Sequence, residues 1–196
     1  EKLDLTALFY LLIALSFFSS CGPVETTEAQ RPNILFFLVD DQRNDVMSSE
    51  GHPIVQTPTV DNLAKNGIKF KNAFVTTSIC AASRASILTG LYEVKHNYTF
   101  GKDPIKAEYV ASSYPYVLKQ AGYTTGFIGK FGVRIEERDS LIKSMFDYFE
   151  PSPRSTPHFV ELPDGTQRHS AEIKGDQAIA FINNQTADQP FNLSIS

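Results

Sequence analysis

Apolar runs alternate with polar segments along residues 32–196, and the lengths of the runs suit strands and amphipathic helices. Residues 33–39 (Asn-Ile-Leu-Phe-Phe-Leu-Val) are apolar at nearly every position, which is typical of a strand buried on both faces of a sheet. The same reasoning predicts further strands at 68–75, 123–128 and 191–196.

Helix patterns lie between these strands, at 57–66, 81–88, 114–120 and 174–184. Pro58 suits the first turn of the first helix, and Gly67 is a common stop. The charged, proline-rich stretch 134–170 is predicted to be an insertion or surface loop region. Strands that alternate with helices indicate an α/β fold, with a largely parallel central sheet flanked by helices. Functional side chains are then expected at the carboxyl ends of the strands.

The N-terminal residues carry an export pattern instead of part of the fold. Residues 5–18 form an almost unbroken apolar run after Lys2, too short for a comfortable membrane span, which predicts a signal peptide over 1–21. A buried N-terminal helix is the alternative. The run ends in Ser-Ser-Cys-Gly at Cys21, which resembles the lipidation site of bacterial lipoproteins. We therefore expect an exported bacterial protein, periplasmic or at the cell surface, held on the membrane only by a lipid on Cys21, with 22–31 as a linker.

The overall charge is mildly acidic, because 18 Lys and Arg residues stand against 22 Asp and Glu, for a net charge of -4. Proteins that bind nucleic acid by neutralising phosphates present a basic surface, so nucleic acid is not an expected partner. The chain has two cysteines, Cys21 and Cys80. In an exported protein such a pair can form a disulfide, which remains an alternative to separate roles for the two.

Reactive side chains follow predicted strands or begin a predicted helix at three places. Asp40 and Asp41 end the first apolar run; such a pair either binds a hard divalent ion or forms an exposed acidic turn. Cys80 begins a helix, whose positive dipole end favours an anion, and Arg84 lies one turn later. A lone cysteine there is otherwise a small buried hydrophobe. Lys130 follows a later predicted strand.

These segments, taken together, resemble the type I sulfatases of the alkaline phosphatase-like superfamily. The run Cys-Ala-Ala-Ser-Arg followed by Leu-Thr-Gly, at 80–84 and 88–90, is similar to the family's first signature. The second signature is matched by Gly-Tyr-Thr-Thr-Gly-Phe-Ile-Gly-Lys at 122–130. Order and spacing agree with the family from residue 31 to about 130, including the segments 31–35, 40–42 and 57–64. The resemblance implies an alkaline phosphatase-like α/β sandwich over 32–196.

In that family a maturation enzyme oxidises the signature cysteine to formylglycine (3-oxoalanine), whose hydrated form attacks the sulfur of a sulfate ester. The resemblance implies this role for Cys80, with Ca²⁺ bound by Asp40 and Asp41 and facing the modified Cys80. It also implies that Arg84 positions the nucleophile and that Lys130 acts in catalysis by binding the sulfate. The implied partners are the maturation enzyme and a sulfate ester, and export favours a sulfated carbohydrate, with a role in glycan degradation.

Two features depart from the family pattern. The family usually has His two residues after the lysine of the second signature, where it helps to position or deprotonate the nucleophile, whereas this chain has Gly132. Either another group fills that role, or the site belongs to a subgroup with altered contacts. The family's other calcium ligands and its leaving-group acid lie beyond residue 196, so an inactive N-terminal fragment is expected. Four histidines match no motif and are expected at the surface or in loops: His52, His96, His158 and His169.

Two further functions remain open at this point. A phosphonate or phosphodiester hydrolase of the same superfamily shares the cysteine motif. A surface glycan-binding lipoprotein would keep the fold without turnover, and the glycine at 132 motivates that alternative.

Overall fold

The computed structural model describes residues 31–153 and 156–196. The predicted signal peptide at 1–21 and the lipidation residue Cys21 lie outside the described residues, as does the predicted linker apart from its last residue. Of the helices in the described ranges, no helix is both long and apolar enough to cross a membrane.

Four parallel strands form the central sheet, in the order β1-β6-β2-β3. A separate antiparallel hairpin consists of β4 and β5. The strands are β1 (Ile34–Phe37), β2 (Thr124–Gly129), β3 (Tyr148–Pro151), β4 (Phe159–Glu161), β5 (Gln167–His169) and β6 (Phe191–Ile195). The predicted α/β fold with a parallel sheet is confirmed.

Helices connect these strands and cover the sheet. A 3-10 turn at Ser48–Glu50 lies between β1 and the first of these helices. They are α1 (Pro58–Asn66), α2 (Cys80–Thr89), α3 (Glu93–His96), α4 (Ala107–Val110), α5 (Tyr114–Gln120), α6 (Arg138–Met145) and α7 (Ser170–Asn183). The four predicted helices are therefore present, each within a few residues of its expected bounds. Pro58 begins α1 and Gly67 follows its last residue, as the capping signals predict.

Two apolar clusters form the core, and β2 contributes to both because successive residues of a strand point to opposite faces. Phe127 packs against Phe131 and Phe146, with ring centroids 5.2 and 5.7 Å apart. The next residue, Ile128, is fully buried in the other cluster with Leu193. The first cluster also includes the buried face of α2. This packing fixes the helix that begins at the motif cysteine.

The strand predicted at 68–75 is absent. Ile68, Phe70 and Phe74 are 82%, 77% and 88% exposed. In the part of the chain that the structure describes, no strand lies beside this segment to share backbone hydrogen bonds. The prediction was wrong because an apolar pattern supplies the side chains of a strand but not its pairing partner.

Burial of the first strand on both faces is also not observed. β1 lies at one edge of the sheet, with β6 as its neighbour, and Leu35 and Phe37 are 47% and 60% exposed. β6, the last of these strands in the chain, lies between β1 and β2 and pairs with both. Sequence order does not determine spatial order in a parallel sheet, because crossovers can insert a late strand between two earlier ones.

Regular structure fills most of the stretch 134–170, which was predicted to be a loop region. It contains α6, the edge strand β3 and the hairpin β4-β5. Charged residues such as Arg138 and Asp139 occupy the exposed face of α6, while Ile142 and Met145 are buried. The helix was missed because its few apolar positions are masked by the charged ones between them.

We expect the 196-residue chain, produced alone, to aggregate. Among the described residues no strand pairs with the outer edge of β1, and the apolar side chains of β1 and of 68–75 are exposed. Size-exclusion chromatography with light scattering measures this directly. The Phe37→Lys variant places a charge on the same edge and should lower the aggregated fraction. Monomeric elution of the unmodified chain, together with a cooperative thermal transition, would contradict the expectation.

His96 is buried, at 5% exposure, which corrects the prediction that it lies at the surface. Its Nδ1 accepts a hydrogen bond from the Tyr98 N–H at 3.1 Å, so Nε2 carries the proton and donates to Ser86 Oγ at 2.9 Å. Burial lowers the pKa of His96 below its ordinary value of 6.5, although the charge of Glu93 acts in the opposite direction. A histidine outside any motif carries no sequence signal for this role.

We expect His96 to make the stability of the complete protein depend on pH. Because its pKa is depressed in the fold, its contribution is present above about pH 6.5 and is lost as the pH falls from there towards the folded pKa. Urea unfolding between pH 8 and pH 5 measures the slope. His96→Gln should flatten it and lower the free energy of unfolding at pH 8 by about 1 kcal/mol. The control His158→Gln, at an exposed position, should keep the wild-type slope, and equal slopes for all three proteins would refute the assignment.

Candidate functional site

Three parallel strands end at one edge of the sheet, and the residues that follow them form the site. Asp40 and Asp41 follow β1, Lys130 follows β2 directly, and Ser196 follows β6. Neighbouring strands lie about 4.8 Å apart, so groups after β1, β6 and β2 meet within about 10 Å. The sequence predicted this gathering of Asp40 and Lys130 at the carboxyl edge, and the structure places them there.

Cys80 is the first residue of α2, and Arg84 lies one turn later on the same face of the helix. Cys80 carries a free, partly buried thiol. The positive end of the dipole of this ten-residue helix favours negative charge at Cys80. A cleft of about 250 Å³ is lined by Cys80, Arg84, Asp40 and Asp41, together with the residues between and beside them. One cleft therefore contains the cysteine, the arginine and both carboxylates that the sequence motifs indicate.

Asp40 lies between two cationic side chains. Lys130 Nζ is 2.5 Å from one carboxylate oxygen, and an Arg84 terminal nitrogen is 3.4 Å from the other. Partial burial raises the pKa of Asp40, but the hydrogen bond and charge of Lys130, followed by those of Arg84, hold that pKa below its ordinary value of 3.8. The site therefore keeps an anionic carboxylate between two cations at neutral pH.

Arg84 is 5% exposed, and its guanidinium is held by several partners besides Asp40. It donates to the Lys130 carbonyl oxygen and, over 2.7 Å, to Ser196 Oγ. Ser196 Oγ donates to the Leu38 carbonyl at 3.0 Å. These contacts connect α2 to the ends of β1, β2 and β6. Because the rotamer is fixed in advance, the guanidinium meets an anion in the cleft with little loss of side-chain freedom.

Ser196 and Lys174 are two members of the site that the sequence motifs did not indicate. Lys174 Nζ donates to the Ser196 carbonyl oxygen at 3.0 Å. Burial lowers the pKa of Lys174, and the nearby charge of Arg84 acts in the same direction. Lys174 belongs to a helix predicted from apolar periodicity, where a lysine is ordinary. Only its contact with the strand end distinguishes it.

Gly132 packs directly against Arg84. Its φ is +68°, a conformation that side chains rarely adopt, and a Cβ at this position would lie 2.8 Å from Arg84 Cδ. Gly132, which stands where the family usually has histidine, therefore has a structural role. It provides the space in which the Arg84 side chain lies.

Asp40 and Asp41 are the groups in the cleft that suit a hard divalent cation. Their carboxylates and the Gln42 amide line the cleft together, and oxygen ligands of this kind are those that Ca²⁺ prefers. Asp41 has φ of 54°, a left-handed conformation uncommon outside glycine that places it in a tight turn after β1. No three His, Cys, Asp or Glu side chains cluster as a metal site within 31–153 and 156–196, so the two aspartates would form part of a ligand set.

The other three histidines lie away from this cleft. His52 Nδ1 accepts the Val55 N–H at 2.9 Å in a loop, and His169 Nδ1 accepts the Ala171 N–H at the start of α7. The rings of His158 and His169 stack with centroids 6.2 Å apart. The surface or loop positions predicted for His52 and His158 are confirmed, whereas His169 is half-buried at the end of β5.

Comparison with known proteins gives one family match and a set of relatives. The sulfatase family model matches residues 32–196. The chain is 31% identical to the N-acetylglucosamine-6-O-sulfatase of Bacteroides thetaiotaomicron, over 97% of this chain and 34% of that protein. It is 39% identical to an ulvan-active sulfatase of Formosa agariphila, over 55% of this chain and 21% of that protein. The chain thus spans about a third or less of the length of these relatives.

Solved structures share the fold. A structure described as a complex with its substrate D-glucosamine-2-N,6-O-disulfate superposes with a TM-score of 0.68 at 29% identity, over 84% of this chain and 33% of that one. The phosphonate monoester hydrolase of Agrobacterium radiobacter superposes with a TM-score of 0.65 at 21% identity, over 84% of this chain and 40% of that one. The second likeness concerns the fold alone.

Proposed function

Because this chain belongs to the sulfatase family, we propose that the complete protein hydrolyses sulfate esters of carbohydrates. The observation that carries the proposal is the single cleft lined by Cys80, Arg84 and two carboxylates, with Lys130 paired to one of them. An anionic group entering this cleft meets a guanidinium and an ammonium already in place. A relative that removes sulfate from N-acetylglucosamine supports the carbohydrate class.

The nucleophile that we propose is formylglycine, made from Cys80 by a maturation enzyme. It would supply a covalent route for cleavage of the S–O bond. We propose Ca²⁺ as the metal, with Asp40 and Asp41 among its ligands, and it would offset the sulfate charge and polarise that bond. Cys80 faces the same cleft as both aspartates, so the modified residue would also adjoin the metal.

The chain's own cations have separable tasks in this proposal. Arg84, fixed by the Lys130 carbonyl and Ser196, holds the reacting group of residue 80 in position one helical turn away. The Lys130 side chain is 38% exposed, so its ammonium can contact a sulfate oxygen from the open side of the cleft. Both cations would stabilise the anionic sulfate group while the ester oxygen leaves with the S–O bonding electrons.

We also propose that the complete protein is exported to the periplasm or cell surface of a bacterium and anchored by a lipid on Cys21. This placement suits an enzyme whose substrate is a large external glycan. Radiolabelled palmitate incorporation, lost in the Cys21→Ser variant, would test the anchor.

A comparison of esters of one aryl alcohol tests the proposed reaction. The complete protein should hydrolyse 4-nitrophenyl sulfate much faster than 4-nitrophenyl phosphate or 4-nitrophenyl phenylphosphonate. A preference for phosphonate would instead assign the protein to the phosphonate hydrolases, whose cysteine motif it shares.

Mass spectrometry of the peptide that contains residue 80 separates catalysis from binding. Conversion of the cysteine to the aldehyde, with loss of sulfur, supports an enzyme. An unmodified cysteine in a host that modifies a co-expressed control sulfatase would support a glycan-binding protein without turnover.

A further inference from the structure

A second cleft lies at the same edge of the sheet, beyond the cleft that contains Cys80. Its volume is about 220 Å³, and it lies between the end of β3 and α7. Polar side chains contribute much of its lining: Glu150, Ser152, Thr156, Lys174 and Gln177. None of these residues belongs to the sequence motifs described above.

Two polar side chains of the second cleft make no hydrogen bond within residues 31–153 and 156–196. Neither the Glu150 carboxylate nor the Gln177 amide hydrogen-bonds to another residue in the described ranges. Thr156 Oγ1 donates to the Pro153 carbonyl at 2.7 Å, and its lone pairs can still accept. A carboxylate, a primary amide and a hydroxyl side by side form a set of acceptors and donors that suits the hydroxyl groups of a sugar.

Hydrogen bonds through Ser196 connect the linings of the two clefts. Lys174 lines the second cleft, and its ammonium donates to the Ser196 carbonyl at 3.0 Å. The Ser196 hydroxyl in turn accepts from Arg84 at 2.7 Å. The backbone N–H of Ser152 donates to the Gly129 carbonyl at 2.8 Å, beside Lys130. The second cleft is therefore held rigidly next to the groups that would bind the sulfate.

The spacing of the strands sets the distance that a substrate must span between the two clefts. β3 lies about 14 Å from β1, whose end carries Asp40, and about 5 Å from β2, whose end carries Lys130. A sugar ring whose sulfate lies on the Asp40 side, near Cys80, would not itself fill the second cleft. The next residue of the same glycan would.

We propose that the second cleft binds the sugar residue adjoining the sulfated one, and so selects oligosaccharides over simple esters. This inference rests on the proposed sulfatase function and names the part of the substrate that the motif residues do not contact. Glu150 accepts hydrogen bonds from hydroxyl groups of that residue and Gln177 can both accept and donate, while Lys174 ties the second cleft to Ser196.

Kinetics on two substrates test the proposal in the complete protein. One is 4-nitrophenyl sulfate, which has no second sugar, and the other is the sulfated oligosaccharide with the highest kcat/KM in a panel of glycosaminoglycan and ulvan fragments. Glu150→Gln and Gln177→Ala should each raise KM for the oligosaccharide by about 5- to 10-fold. Their kcat/KM for 4-nitrophenyl sulfate should stay at the wild-type value. The control Gln120→Ala, at an exposed glutamine that ends α5, should change neither substrate.

Each other outcome is decisive against the proposal. Unchanged oligosaccharide kinetics in both variants would show that the second cleft is not a substrate site. An equal loss on both substrates would show a general effect on the fold or on the sulfate site. If the wild-type protein hydrolyses neither 4-nitrophenyl sulfate nor any oligosaccharide, the proposed function itself has failed, and the inference that rests on it is withdrawn.

Discussion

Replacing Cys80 by alanine in the complete protein is expected to abolish sulfate ester hydrolysis, with a loss of at least about 10⁴-fold in kcat, as for other enzymes that lose a nucleophile. Alanine has no sulfur or oxygen on its Cβ, so it cannot be converted into the proposed nucleophile. The side chain is partly buried at the first position of α2, and alanine is a good helix former there. The fold should therefore be unaffected, and a 4-nitrophenyl sulfate assay measures the loss.

The other cysteine provides a matched control for this change. Cys21→Ser also removes one thiol, but its residue belongs to the predicted export segment and not to the described site. The purified protein should keep its kcat, while its association with membranes should be lost. Residual kcat in Cys80→Ala above about one per cent of wild type would exclude residue 80 as the nucleophile.

Gly132→Ala is expected to lower kcat/KM by about 100-fold, the size of loss that follows when a catalytic donor shifts by about 1 Å. The added Cβ would lie 2.8 Å from Arg84 Cδ, which is closer than two such carbons approach, so the arginine must move. Arg84 is buried and is held by the Lys130 carbonyl and Ser196, so movement disrupts bonds that align the site. The positive φ adds about 1 kcal/mol of backbone strain.

A second glycine separates the two effects of that substitution. Gly101 also has a positive φ, +77°, but a Cβ there would meet no atom within 4 Å. Gly101→Ala should therefore lose only the free energy of unfolding that corresponds to backbone strain, measured by urea unfolding. Its kcat/KM should stay at the wild-type value. If Gly132→Ala and Gly101→Ala retain activity equally well, the contact with Arg84 has no catalytic importance. A His at 132, the residue usual in the family, should disturb Arg84 at least as much as alanine does.

The site was more predictable from the sequence than the fold around it. Cys80, Arg84, Asp40 and Lys130 carry local patterns, namely a helix start, a one-turn spacing and two strand ends, and the structure brings all four together. Local patterns of this kind can be recognised in a sequence because they depend on backbone geometry over a few residues. Ser196 was not identified, because its role depends on which strands are neighbours.

The two errors in the strand predictions have one cause. The segment 68–75 has the composition of a strand, and 33–39 has the composition of a buried one, yet the first pairs with no strand among the described residues and Leu35 and Phe37 of the second are exposed. A strand and its burial are defined by what lies beside it, often more than a hundred residues away in the chain. β1 pairs with β6, and Ile34 is opposite Asn192. The composition of a segment does not indicate which distant segment it pairs with.

The sequence by itself determined the α/β class, the helices and the residues that converge on the proposed nucleophile, because periodicity and short motifs act through neighbouring backbone. The order β1-β6-β2-β3, the burial of His96 and the fit of Gly132 against Arg84 were decided only by the tertiary structure. Each of these depends on contacts between segments far apart in the chain. Such contacts form only where the packed core holds the segments together, and no local pattern specifies them.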